Sequence, residues 1–414
     1  MNRRYYCFDI VLVSPLSLSS GLSENTDSDV LLDSRGKPYI SATSIAGVLA
    51  SRLSDDNKER LYGISPRRDS EKSHVIFYDA EYIGKYEPVI SVRDSVALED
   101  KVGVDRAKFD FETVEPEGRF KAYMELDDIV TAEDEELIKA QLAALDSGLL
   151  RFGHKTSRGY GQVRLENVRR REFTEVAKWL KFDMYDENCW AEADAVELSK
   201  MESDEDIIEL DLILKGALSI RSYTTEVTAE GEPTAPDYKY LSLRNGKPVI
   251  PGTTWAGVFR DNVARLLGVN KMEDGMMRKL FGYVEQKSKK MQKSRITFSE
   301  SVFEDGSYEN KLITRNSIDR FSAATNDGAL YTELTMYGGK TRLTVSLPKD
   351  TDNVMQSALI AAFADLDNGF TAVGGLTAVG HGVFEIADIR LNGEKKTECF
   401  KNYDFKGFFG GEQN

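Results

Sequence analysis

Two aspartates at corresponding places in a repeated stretch are the first residues with chemistry to offer. Residues 27–47 read DSDVLLDSRGKPYISATSIAG and residues 237–257 read DYKYLSLRNGKPVIPGTTWAG, so one offset of 210 superimposes them without a gap. Asp27 falls on Asp237, whereas Asp29 and Asp33 fall on Lys239 and Leu243. A loop carboxylate can take up a proton or hold a divalent cation such as Mg2+. Asp27-x-Asp29-x3-Asp33 begins like a calcium loop but lacks the next Asp or Asn, the Gly and the terminal Glu. The carboxylate kept in both copies is therefore the candidate catalytic group, and Asp27 and Asp237 are the candidate ligands if a metal takes part.

A second constellation is rich in glycine and recurs at an offset of 221, where Gly153, Gly159 and Gly161 fall on Gly374, Gly380 and Gly382. Such loops let a backbone approach a sugar-phosphate chain closely with N–H groups as donors. Gly375 lies in the second loop, while His154, Lys155, Arg158 and Tyr160 in the first offer charge, stacking and hydrogen bonds. His154 aligns with Gly375 and His381 with Tyr160, so the two histidines are not one shared catalytic group; stacking on a base or contact with a phosphate suits them better. A third candidate is the run QKSKKMQKSR at 286–295, with Lys287, Lys289 and Lys290 at its centre. A local stripe of cations is what phosphate binding requires, although such a run also reads as a solvated loop.

The elements that must position these residues also occur twice. Tyr5 to Leu18 alternates as a half-buried strand, and Thr43 or Ser44 then caps a helix whose apolar face is Ile45, Val48, Leu49 and Leu53. Pro251 to Thr254 opens the equivalent helix, with Trp255, Val258, Phe259 and Val263 inward. Ala46-Gly47 and Ala256-Gly257 suggest helix backbones packed closely against a neighbour. Strands follow at Val75 to Tyr78 and Ile296 to Phe298, then poorly periodic insertions over 81–103 and 302–317. Phe120 to Leu126 and Thr341 to Leu347 read as strands, Ala132 to Asp146 and Asn353 to Asp367 as amphipathic helices, and Gly161 to Leu165 and Gly382 to Ile386 as closing strands. Each copy is thus β–α–β–(insertion)–β–α–β, an α+β ferredoxin-like arrangement. The expected division is a first domain over 1–170, a linker over 171–206 and a second domain over 207–414.

Composition constrains the class of protein. With 41% hydrophobic and 30% charged residues in 414, the chain reads as a globular protein with room for two cores. It has no apolar run long enough to span a bilayer and no signal-peptide pattern, which makes cytoplasm the expected compartment and a membrane partner unexpected. Cys7, Cys189 and Cys399 are too few and too scattered for a disulfide framework or a zinc knuckle. A net charge of −15 argues against nucleic acid, but the acids crowd into 95–135 and 183–211, away from the basic run.

Taken together, the Asp-bearing loop that leads into Gly-Lys-Pro-x-Ile-Pro-Gly-Thr-Thr-x-Ala-Gly, and the Gly-x5-Gly-x-Gly loop after the second helix, resemble the RAMP superfamily of CRISPR-associated proteins. Val104-Asp105-Arg106 and Ile318-Asp319-Arg320 look like the family's middle region. Within the family the chain is most similar to type III backbone subunits, here as a tandem fusion. The resemblance implies guide RNA, complementary target RNA and other effector subunits as partners. It also implies target cleavage at Asp27, which precedes Asp33 by six residues as in the family pattern, and at Asp237. Family members often carry Lys in the first turn of the helix, where this chain has Ala46 and Ala256, and Arg a turn later, present as Arg260 but replaced by Ala50 in the first copy. The first copy also has Ser41-Ala42 in place of Pro-Gly. A non-catalytic scaffold, a guide-processing ribonuclease and a protein-only interaction module are the competing readings.

Overall fold

The computed structural model describes residues 2–21, 26–63, 72–99, 102–199, 204–222, 236–243, 245–285, 290–326 and 328–410. The chain forms two compact units, Met1–Thr156 with Tyr160–Ser203, and Asp204–Asn414 with Ser157–Gly159.

In the first unit the order is β1 (Arg3–Leu12), α1 (Ala42–Ala50), β2 (Val75–Phe77), β3 (Ala80–Tyr82), a hairpin of β4 (Ile90–Glu99) and β5 (Val102–Val114), then β6 (Arg119–Leu126), α2 (Ala132–Asp146) and β7 (Val163–Phe173). The sheet runs β3–β6–β1–β7 with β2 also on β6, and β1 is antiparallel to both neighbours. That is the ferredoxin-like order, with β4 and β5 as the insertion. Helix α1 is capped by Ser41, whose side chain accepts from the Ser44 N–H; the cap thus falls two residues before Thr43. Thr131 and Asp134 form a capping box on α2.

The second unit repeats the plan: β8 (Glu205–Leu214), α3 (Gly252–Leu267), β9 (Thr297–Phe298), a hairpin of β10 (Tyr308–Arg315) and β11 (Tyr331–Gly338), then β12 (Lys340–Pro348), α4 (Asn353–Asp367) and β13 (Phe384–Leu391). Its main sheet runs β9–β12–β8–β13, while β10 and β11 belong to a separate sheet. Trp255, Phe259 and Val263 of α3 pack on Phe298, Phe363 and Phe384.

The central strands differ between the units. Strand β8 alternates buried and half-buried residues, as one covered face dictates. Strand β1 is buried from Arg4 to Leu12, so the expected alternation does not hold. Residues 174–199 are the reason: Phe173 and Trp190 form a second core with Tyr5 and Cys7, packed around by Trp179, Phe182 and Met184. Trp179 donates to the Tyr5 hydroxyl at 2.8 Å. The segment expected as a linker is thus built into the first unit, because it covers Tyr5 and Cys7 on the outer face of β1 and Phe173 at the end of β7.

Candidate functional site

In each unit the chain leaving the first strand meets the glycine-rich loop and the second strand of the inserted hairpin. The loop is fastened by its own backbone. His154 N–H donates to Ser17 O at 2.9 Å, Gly161 N–H to Pro15 O at 2.8 Å, and Phe152 N–H to Gly161 O at 2.9 Å. The second unit repeats these bonds from Gly375 to Ser219 at 2.7 Å, Gly382 to Ala217 at 2.7 Å and Val373 to Gly382 at 2.9 Å. Gly161 and Gly382 have φ of 74° and 76°, and a Cβ on either would fall inside the carbonyl oxygen of Phe152 or Val373. Glycine is required there by the loop's own closure, and the N–H groups of Gly161, Gly375 and Gly382 are already committed to backbone.

Asp27 and Asp237 are both exposed. Asp27 Oδ2 accepts from the Asp110 backbone N–H at 3.0 Å, and the Asp27 N–H donates to Asp110 Oδ1 at 3.0 Å. Asp237 Oδ2 accepts from the Thr332 backbone N–H at 2.7 Å. The two donors are equivalent. Leu16 bridges Val114 and its repeat Leu218 pairs with Met336; Asp110 and Thr332 each lie four residues before those partners. Each loop aspartate is therefore anchored through one oxygen to the same point of the inserted hairpin.

The other acids of the first loop serve the loop. Asp29 is buried and accepts from the Thr26 N–H and hydroxyl at 2.8 and 2.9 Å. Asp33 accepts from the Lys37 and Arg35 N–H groups and the Arg35 side chain; the Lys37 N–H and these partners hold its carboxyl below the usual range. Among the described residues no group of three or more His, Cys, Asp or Glu is placed to share a metal ion.

Around the anchored aspartates the units diverge. In the first, the Lys155 ammonium lies 2.8 Å from the Phe111 ring centroid and 4.6 Å from that of Phe109, and buried Tyr160 packs against Phe111 at 6.1 Å. In the second, Glu333 is buried and accepts from Arg221 through both oxygens at 3.1 Å, while Arg221 lies 4.5 Å over the Tyr238 ring. His381 is 5% exposed, and its Nε2 lies 3.3 Å from the Arg315 guanidinium. Burial and that neighbouring cation push the His381 imidazole below its ordinary value.

The remaining expected residues scatter. His154 and Arg158 are exposed. Arg260 turns along α3, donating to Lys271 O at 3.3 Å and touching the Met272 sulfur at 3.1 Å, and burial lowers its pKa. Lys290 is exposed beside a short hairpin of Tyr283–Val284 and Met291–Gln292, while Lys287 and Lys289 lie outside the described residues. Gly47 and Gly257 are exposed with open space where a Cβ would stand, so no close packing explains them. Asp110, Phe111, Arg221, Arg315, Glu333 and Thr332 were not foreseen. Only the register of the hairpin brings them to the loops, although Arg221 had a signal: it replaces Ser19 in the otherwise similar SPLSLSS and GALSIRS segments.

A comparison with curated protein sequences finds no match. A family profile, that of the RAMP superfamily, matches residues 9–164 and 216–385. The two matched regions fall one on each unit, enclose both aspartate loops and both glycine-rich loops, and cover more than half of the chain. This chain belongs to the RAMP superfamily, a group of CRISPR-associated RNA-binding proteins that act in multi-subunit complexes.

Proposed function

We propose that the chain is a tandem backbone subunit of a type III CRISPR effector, holding guide RNA and cleaving complementary target RNA at the loops of Asp27 and Asp237. The observation that carries this reading is the recurrence of an exposed carboxylate with one oxygen tied to an equivalent backbone N–H. Anchoring fixes the group's position and leaves its second oxygen for the reaction. That oxygen would either take the proton of a 2′-hydroxyl beside the scissile phosphate or serve as one ligand of a Mg2+ ion. If the ion binds, RNA oxygens and water would make up the rest of its shell.

The same hydrogen bonds favour a second reading, a non-catalytic scaffold. A carboxylate that satisfies a backbone N–H has a structural reason to recur. Asparagine separates the two, since its amide oxygen still accepts the N–H but carries no charge and cannot act as a base. In the assembled effector, Asp27→Asn should abolish one cut in the target and Asp237→Asn another, with RNA binding unchanged. Both cuts persisting in both variants would favour the scaffold.

A further inference from the structure

We propose that Asp110 and Glu112 of β5 are positioning residues for Asp27, their carboxylates fastening the first unit's loop where a backbone ladder fastens the second. The inference rests on the reading of Asp27 as the reacting carboxylate. Asp27 and Asp110 exchange hydrogen bonds, the Asp27 N–H donating to Asp110 Oδ1 and the Asp110 N–H to Asp27 Oδ2, both at 3.0 Å. Two residues further along β5, the Glu112 N–H donates to Ser28 O at 3.0 Å, and Glu112 Oε2 accepts from the Val30 N–H at 3.0 Å. Two N–H groups of the loop, at 27 and 30, thus end on carboxylate side chains of the hairpin.

In a parallel ladder one residue gives its N–H to a carbonyl of the neighbouring strand and takes, on its own carbonyl, the N–H two residues further on. Glu112 makes the first of these bonds with its backbone and the second with its carboxylate. The second unit makes a true ladder at the same place: Tyr238 pairs with Glu333 and Lys239 with Leu334 in parallel register. Leu334 stands where the first unit has Glu112 and has no side-chain acceptor to offer. Thr332 stands where the first unit has Asp110, and its hydroxyl is bonded to that of Thr314 at 3.3 Å. Tyr238 is braced further, by the Tyr331 ring at 5.9 Å and the Arg221 guanidinium at 4.5 Å. Asp237 therefore leads into a paired strand, whereas Asp27 leads into a loop that side chains hold. Because Asp27 is exposed, these bonds and not packing set the direction of its second oxygen.

The test uses the assembled effector, where the cuts assigned to Asp27 and Asp237 in one target serve as each other's reference. Asp110→Ala with Glu112→Ala removes both side-chain acceptors and keeps both backbone N–H groups. With target saturating, the cut assigned to Asp27 should slow by about tenfold or more, as misalignment of a reacting group does, while the Asp237 cut and target affinity stay as they were. Asp110→Asn with Glu112→Gln keeps an acceptor oxygen for each N–H and should recover most of the lost rate. Hydrogen exchange on the full chain alone gives a readout without cleavage: the peptide over 26–31 should exchange faster in the alanine pair than in the amide pair, and the peptide over 236–241 should not change. Full-rate cutting at the Asp27 position in the alanine pair, or unchanged exchange over 26–31, would overturn the positioning role. Equal slowing of both cuts would overturn its restriction to the first unit, and an amide pair as slow as the alanine pair would show that charge and not the hydrogen bond matters. Both cuts persisting in Asp27→Asn would instead remove the reading beneath the proposal, and the proposal with it.

Discussion

At the base of the first hairpin Phe111 carries the ammonium of Lys155 and the ring of Tyr160; at the base of the second the equivalent position is Glu333, clamping Arg221, with His381 in the place of Tyr160 and Leu376 in that of Lys155. Both sites rest on one scaffold. The backbone bonds that fasten the glycine-rich loop, and the N–H that holds the aspartate, fall at corresponding residues in both units. What duplication preserved is the backbone geometry and one carboxylate, while the side chains around it moved from aromatic packing to a buried ion pair. On the proposed reading, the aspartate would carry the reaction that the two units share, and the surroundings would carry what distinguishes them.

The scaffold half of this contrast is the easiest to break. Gly161→Ala and Gly382→Ala should each cost about 4 kcal/mol or more, since each adds a strained φ and a backbone overlap. Gly47→Ala and Gly257→Ala, with open space at the Cβ, should instead stabilise helices α1 and α3 by about 1 kcal/mol or less. Urea unfolding of the four variants checks this, and equal behaviour of the buried and open pairs would contradict the packing described.

Acid should separate the units. Glu135 is buried, and although burial alone would raise its pKa, hydrogen bonds from Arg170, Tyr6 and Arg4 outweigh it and lower the carboxyl to about 2. A carboxyl depressed on folding contributes stability that is fully present above its unfolded value of 4.5 and is lost as pH falls through that value toward about 2. The second unit has Gln356 at the corresponding position. Glu135→Gln should cost the first unit about 3–5 kcal/mol by leaving Arg4 buried without its carboxylate, and should flatten its unfolding profile between pH 4.5 and 2. Trp190→Ala should cost a similar ~3 kcal/mol, in the first unit only, by opening the small core under residues 174–199.

Much of the fold was legible because it is written in periodicity and in repetition. Order and type of the main strands and helices followed from the repeat, and Trp255, Phe259 and Val263 were read as inward from their helical spacing. Lys155 and Tyr160 illustrate what was not legible: a lysine and a tyrosine in a glycine-rich loop read as RNA contacts, yet Phe111 and Phe109 reach them only through the hairpin's register, which no local pattern encodes. The 174–199 segment misled for a related reason, since its polar composition hides the few aromatic residues that meet β1.

Smaller effects sharpen the comparison within the loops. Arg158 is exposed, so Arg158→Ala should reduce the salt slope of RNA binding by about one. Lys155→Ala should lower stability by about 1 kcal/mol through the lost ring contact while changing the slope less than Arg158→Ala does. The reverse order would return Lys155 to the RNA.

The most direct measurement takes the assembled effector carrying Asp27→Asn and Asp237→Asn together and follows guided cleavage of a target RNA beside its binding. Each asparagine keeps an acceptor for the Asp110 or Thr332 N–H, so the loops should hold and target binding should match the unaltered complex, while the cuts assigned to this subunit disappear. Undiminished cutting at those positions, with binding intact, would contradict the assignment of the reaction to the aspartates.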